Sequence, residues 1–199
     1  MGSPKKTLNT DNPQNKNSKL VGLYVGPVIK RKSVEELVRA FSQVDSIQFE
    51  LQIAGDGEQY DILKEKYIGD PRIRFLGFQE DVSELYQSAD FYVSASQAEG
   101  LPMSVLEALS YGLVCLLSDI EPHSEIKSEL PSQVTIVDFS DEPKLIEIVN
   151  LMLGDTGKKE RARRFNGSVL SSKKMALKYF ETFSATGQFG DFLEQTNSE

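Results

Sequence analysis

The sequence predicts an α/β fold: a single doubly wound, Rossmann-like parallel sheet. Three observations predict it. Short apolar runs recur along the chain, nearly continuous rather than alternating, as strands buried on both faces must be. Amphipathic segments separate them, so neighbouring strands are joined by helical crossovers and run parallel. Glycine-containing turns close several strands, as at Gly26, Gly55-Asp56-Gly57 and Gly77.

The elements follow in order. Residues 20–25 form a strand, and 34–44 a helix with Leu37, Val38 and Phe41 on one face. The second strand spans 49–54 and the second helix 60–67. A short strand over 73–76 leads into a short helix over 82–87, with Leu85 inward. Then come a strand at 91–95, a helix at 103–111 and strands at 113–117 and 134–137. A helix over 143–153 closes the set, and no internal repeat is visible.

Residues 1–18, rich in Asn, Lys, Ser, Thr and Pro, read as a disordered leader, and 185–199 as a flexible tail. The folded domain is expected over 19–184. Its last segment, 158–183, is helical with a basic start at Lys158, Lys159, Arg161, Arg163 and Arg164. That is either a solvated face on a packed helix or a surface for peripheral membrane contact.

Composition bounds the function. The chain has 199 residues, 39% hydrophobic and 26% charged, enough for one globular core. A net charge of -8 argues against nucleic acid or an anionic membrane as the main partner, because the long-range field repels both. Cys115 is the lone cysteine, so no intrachain disulfide can form, and a reducing, cytoplasmic setting is expected. Its apolar neighbourhood suits a buried, inert thiol. No secretory signal and no run of membrane-span length is present.

In open α/β sheets, ligands bind where strand ends run into helix starts. The loop after the first strand, Gly26 to Ser33, carries Lys30, Arg31 and Lys32, cations suited to a diphosphate. The loop after the fourth strand runs through Glu99, Gly100 and Leu101 to Pro102, whose φ suits a helix start. The amides of Met103, Ser104 and Val105 are then expected to face outward as an anion site. Glu99 and Glu107 lie on either side of that helix start. Carboxylates only accept hydrogen bonds, which suits paired sugar hydroxyls and not a phosphate. Gly77 and Phe78 either wall a nucleobase or pack under their loop. His123, with no partner visible, reads as a surface histidine rather than a catalytic base. Zinc spacing, Walker loop, nucleophile elbow and dinucleotide glycine fingerprint are all absent.

Glu99-Gly100-Leu101-Pro102, with Glu107-Ala108-Leu109 and then Gly112, resembles the Glu–seven residues–Glu motif of the group 1 family of retaining glycosyltransferases. Ile53-Ala54-Gly55-Asp56-Gly57-Glu58, Phe75-Leu76-Gly77-Phe78, Ala89-Asp90-Phe91 and Ser118-Asp119-Ile120 fall around it in the family's order. The resemblance implies half of a GT-B fold, the C-terminal domain that binds a nucleoside-diphosphate sugar without metal. It implies that Glu99 contacts the donor sugar and Glu107 the ribose, with the backbone from Leu101 to Ser104 on the diphosphate. Lys32 matches the family's phosphate-binding lysine, and Gly77 and Phe78 border the base.

There are two departures. Pro27 stands where the family has an arginine, which leaves Lys30 or Arg31 to compensate. The N-terminal acceptor domain is missing, so a separate domain or subunit is the implied partner and little transfer is expected from this chain alone. The expected function is donor binding for retaining glycosyl transfer to an acceptor hydroxyl, in polysaccharide or glycoconjugate synthesis. The alternative is a non-catalytic nucleotide-sugar-binding or scaffolding module.

Overall fold

A computed structural model describes residues 19–154. Its six strands are β1 (Leu20–Val25), β2 (Phe49–Ala54), β3 (Ile73–Gly77), β4 (Phe91–Ser94), β5 (Val114–Leu117) and β6 (Val134–Ile136). They form one sheet in the order β3-β2-β1-β4-β5-β6, every pair parallel. The helices are α1 (Val34–Ser42), α2 (Tyr60–Lys66), α3 (Ser83–Ser88), α4 (Met103–Ser110), α5 (Glu121–Glu129) and α6 (Glu142–Gly154). The expected doubly wound parallel sheet is therefore what the chain forms. The leader, the basic helix and the tail expected at the two ends lie outside the described residues.

Each strand divides its side chains between two layers, because successive residues point to opposite faces. On one face Tyr24, Leu51 and Ile53 meet Leu37 and Val38 of α1, Leu63 of α2, and Leu145 and Val149 of α6. On the other, Leu23, Tyr92 and Leu117 meet Tyr86 of α3, Leu106 and Leu109 of α4, and Ile126 of α5. The first layer is anchored by Phe41, Phe49 and Phe91, with ring centroids 5.4, 6.1 and 6.3 Å apart. Each buried phenylalanine contributes about 1.5–3 kcal/mol relative to exposure. Gly22 in β1 makes room for them, since a Cβ there would lie 2.6 Å from the Phe91 ring.

The helices change faces at the crossover from β3 to β4. That crossover carries the chain past β2 and β1, so β1 and β4 become neighbours, with Gly22 opposite Phe91 and Leu23 opposite Tyr92. Strand order reverses there, and the loops leaving the two strands diverge to opposite faces. A crevice opens between them.

Two local features differ from the sequence reading. No element was assigned to the segment after β5, and it forms α5. Pro122 sits in its first turn, where its missing N–H costs nothing, but only His123 and Ile126 of the helix are buried. That apolar stripe is too thin to register as periodicity. In α3 the buried residue is Tyr86, at 1% exposure, while Leu85 is only partly covered.

The turns after β1 and β2 are in backbone contact. Gly55 has φ +145°, and a Cβ there would sit 1.8 Å from the Gly26 carbonyl oxygen. Gly55→Ala is expected to lower unfolding stability by at least about 2 kcal/mol, combining strain with overpacking. Urea denaturation measures it, and a change smaller than experimental error would remove the contact's importance.

Candidate functional site

The loop leaving β1 is built on the β2 turn beneath it. The Gly26 amide donates to the Ala54 carbonyl at 3.0 Å and the Val28 amide to the Asp56 carbonyl at 2.8 Å. The buried Tyr24 hydroxyl holds the Pro27 carbonyl from below at 2.7 Å. A single 3-10 turn, Lys30–Lys32, then carries the three cations past the sheet edge. It ends at Ser33, which is buried and left-handed at φ 49°, a strained conformation for serine that swings the chain into α1.

The loop leaving β4 meets these cations. The Lys32 ammonium donates to both Glu99 carboxylate oxygens, at 2.6 and 2.7 Å. The Ser96 hydroxyl donates to Glu99 Oε1 at 2.6 Å, and both partners of the ion pair are largely buried. Arg31 closes the same gap twice: its guanidinium donates to the Ala98 carbonyl at 3.1 Å, and its own carbonyl accepts from the Gln97 amide at 3.0 Å. Residues 67 positions apart in the chain thus form one charged seam across the crevice. Charge-assisted bonds of this kind are about twice as strong as neutral ones.

α4 starts where this loop ends, with Pro102 as its N-cap. The geometry of its first amides departs from expectation. Met103 donates to the Leu101 carbonyl at 2.8 Å and Val105 to the Pro102 carbonyl at 3.0 Å, so neither faces outward free. Among the described residues the Ser104 amide makes no hydrogen bond, nor do the amides of Ala98, Glu99, Gly100 and Leu101 just before the helix. The free donors are therefore mostly in the loop, and the helix itself adds one. A run of N–H groups without partners is chemically suited to an anion.

Beneath α4 lie two buried tyrosines. Tyr92 places its hydroxyl 2.8 Å from Ser104 Oγ and 3.2 Å from the Val25 carbonyl. Tyr86 places its own 3.1 Å from Glu107 Oε2 and 3.2 Å from the Ser104 carbonyl. Burial pushes both phenols, and Tyr24, far above their ordinary range, so all three stay protonated. The sequence reading missed these tyrosines. The available signal was a polar-tipped aromatic in an apolar run, whose hydroxyl must find a partner.

Gly77 and Phe78 share the same sheet edge beyond β2. Gly77 is left-handed at φ +73°, and its carbonyl accepts from the Gly55 amide at 2.8 Å. Phe78 does not pack under its loop: it is 75% exposed. On the other side of the seam a cleft of about 530 Å³ opens over Ser33, Ser96, Ser118 and Asp138.

His123 is not the surface residue expected. It is fully buried, with Nδ1 3.0 Å from the Ser118 carbonyl and Nε2 unpartnered. Since a carbonyl only accepts, Nδ1 carries the proton. Ser118 links it to the site, its hydroxyl donating to the Ser96 carbonyl at 2.6 Å. Among the described residues no group of three or more His, Cys, Asp or Glu side chains could hold a metal ion. No helix there is long and apolar enough to cross a membrane. Cys115 is buried, and burial pushes its thiol far up.

Residues 5–167 match the family described as glycosyl transferases group 1. The chain belongs to that family. Its domain is one half of a GT-B glycosyltransferase fold, as solved structures indicate: TarM superposes with TM-score 0.65 at 15% identity, over 86% of this chain and 36% of that one. Among curated glycosyltransferases, the Escherichia coli UDP-Gal:alpha-D-GlcNAc-diphosphoundecaprenol alpha-1,3-galactosyltransferase is 39% identical over 72 residues, 34% of this chain and 19% of that enzyme. The Campylobacter jejuni N,N'-diacetylbacillosaminyl-diphospho-undecaprenol alpha-1,3-N-acetylgalactosaminyltransferase is 31% identical over 117 residues, 58% of this chain and 29% of that enzyme. The glycosyltransferase chain thus covers less than a third of either relative's length.

Burial holds the His123 pKa below its ordinary 6.5. The unfolded state therefore binds this proton first as pH falls. Stability from the neutral ring is complete above pH 6.5 and declines through the window below it, with a slope of at most about 1.4 kcal/mol per pH unit for one proton. Urea unfolding between neutral and mildly acid pH should show that slope, and His123→Asn should flatten it. Equal slopes would mean that another group titrates.

Proposed function

We propose that this glycosyltransferase domain binds the nucleoside-diphosphate sugar donor for retaining transfer to an acceptor hydroxyl. It is the C-terminal half of its enzyme and works against an acceptor half, on the same chain or a separate subunit. The observation that carries this is the meeting of two chemistries at one crevice. Lys32 and the free amides of residues 98–101 and 104 offer donors for a diphosphate, and Glu99 and Glu107 offer acceptors for sugar hydroxyls. Gly26 and Arg31 shape the near wall, with Gly100, Leu101, Pro102, Met103 and Ser104 as the far wall. Gly77 and the exposed Phe78 border the base.

In this reading the acceptor oxygen bonds to the anomeric carbon as the diphosphate leaves with the bonding electrons, and the hydroxyl proton passes to the departing phosphate oxygen. Lys32 and the amide run stabilise the charge that develops on it, and Glu99 orients the sugar. Metal is not required, because the cations and amides take its place. The two undecaprenol-diphosphate relatives favour a glycoconjugate or polysaccharide product. A cytoplasmic setting fits a chain whose single thiol is buried and can form no intrachain disulfide.

Titration calorimetry of UDP, GDP and ADP, with chelator present, tests the donor site. One of the three should bind, and Lys32→Ala and Glu107→Ala should each weaken it about tenfold by removing a charge-assisted bond. No binding at millimolar nucleotide, with the fold intact, would overturn the reading.

Pro27 and the closed Lys32–Glu99 pair favour a second reading, a non-catalytic binding or scaffolding module. A nucleotide sugar that binds and yields no transfer or hydrolysis, even with an acceptor half supplied, would select that reading.

A further inference from the structure

Glu107 is an exposed residue of α4, and water alone would satisfy its carboxylate. It is nevertheless tied to the interior. Tyr86, only 1% exposed, reaches up from α3 to Glu107 Oε2 at 3.1 Å. The phenol ring is held from two sides, stacked on Tyr111 at 5.3 Å and 16° and tilted against Tyr92 at 6.2 Å. Its proton has a main-chain acceptor within reach, the Ser104 carbonyl at 3.2 Å. Satisfying the buried hydroxyl therefore does not require Glu107.

The contact does something else. It fixes one carboxylate oxygen and leaves Oε1 without a hydrogen bond among the described residues. A carboxylate on a free rotor offers either oxygen over a range of positions. A carboxylate held at one oxygen offers the other over a narrower range. Because burial keeps the phenol protonated, the donor end of the contact is always Tyr86.

We propose that Tyr86 is a positioning residue for donor recognition, holding Glu107 so that its free oxygen accepts from the cis-diol of the nucleotide ribose. This rests on the donor-site reading given above and extends it to a residue that touches no ligand.

Two measurements on the whole chain test it. In the free protein, the Tyr86 hydroxyl proton is followed by NMR in wild type and Glu107→Ala. Loss of the charged acceptor should move it upfield, and an unchanged resonance would overturn the pairing whether or not any nucleotide binds. Calorimetry then compares UDP, GDP and ADP with their 2',3'-dideoxy forms in wild type and Tyr86→Phe. The ribose form that binds should weaken about fivefold in the variant, and its dideoxy form by about twofold or less. The phenylalanine ring preserves the stack, and matching urea midpoints verify that the variant is folded. Equal weakening of both forms would show a merely structural tyrosine and overturn the proposal, as would no weakening of either. If wild type binds no nucleotide, the donor-site reading fails and the positioning role fails with it, while an upfield shift would still identify the Tyr86–Glu107 bond.

Discussion

The carboxyl edge of this domain depends on the pairing of β1 with β4. Two strands that share no turn and lie far apart in sequence are brought side by side, while their crossovers leave toward opposite faces. Only then can the loop after β1, which carries Lys32, meet the loop after β4, which carries Glu99. The ion pair they form is short, doubly bonded and largely buried. A buried charge without its partner is costly, so each loop holds the other in place. The backbone contact of Gly26 with Gly55 supports this from the β2 side, where only glycine leaves room.

The floor of the crevice is made of aromatic residues with polar tips. Tyr24, Tyr86 and Tyr92 fill volume in the two cores and also place hydroxyls on the Pro27 carbonyl, on Glu107 and beside Ser104. Packing and site geometry are therefore coupled. The rings that stabilise the fold set the position of the groups above them, and their burial keeps those hydroxyls protonated. His123 extends the same logic to the β5 side through Ser118 and Ser96.

Several strands and helices were legible residue by residue, because a strand buried on both faces and a helix with a broad apolar stripe leave strong patterns. β1, β2 and α1 are such cases, with boundaries within a residue or two of the pattern. α5 was not legible, since its buried side is little more than His123 and Ile126. Neither was the inward turn of His123, because which side of α5 is buried is decided by how the helix packs on the sheet, and the local Ser118 carbonyl then only satisfies Nδ1. The spacing of Glu99 and Glu107 around Pro102 could be read as two acceptors about a helix start. The donors at that start could not: Met103 and Val105 turn their amides inward, and the open N–H groups lie mainly in the preceding loop.

By itself the sequence determined the fold class, the order of the elements other than α5 and the residue types gathered in each loop, since these follow from local periodicity, turn chemistry and the cost of burying polar groups. The tertiary structure decided which loops meet, that Lys32 and Glu99 close on each other, and that Tyr86 lies under Glu107. Those are contacts between residues far apart in the chain, and no local pattern encodes them. They arise when strand order and helix faces are set by packing two hydrophobic layers at once.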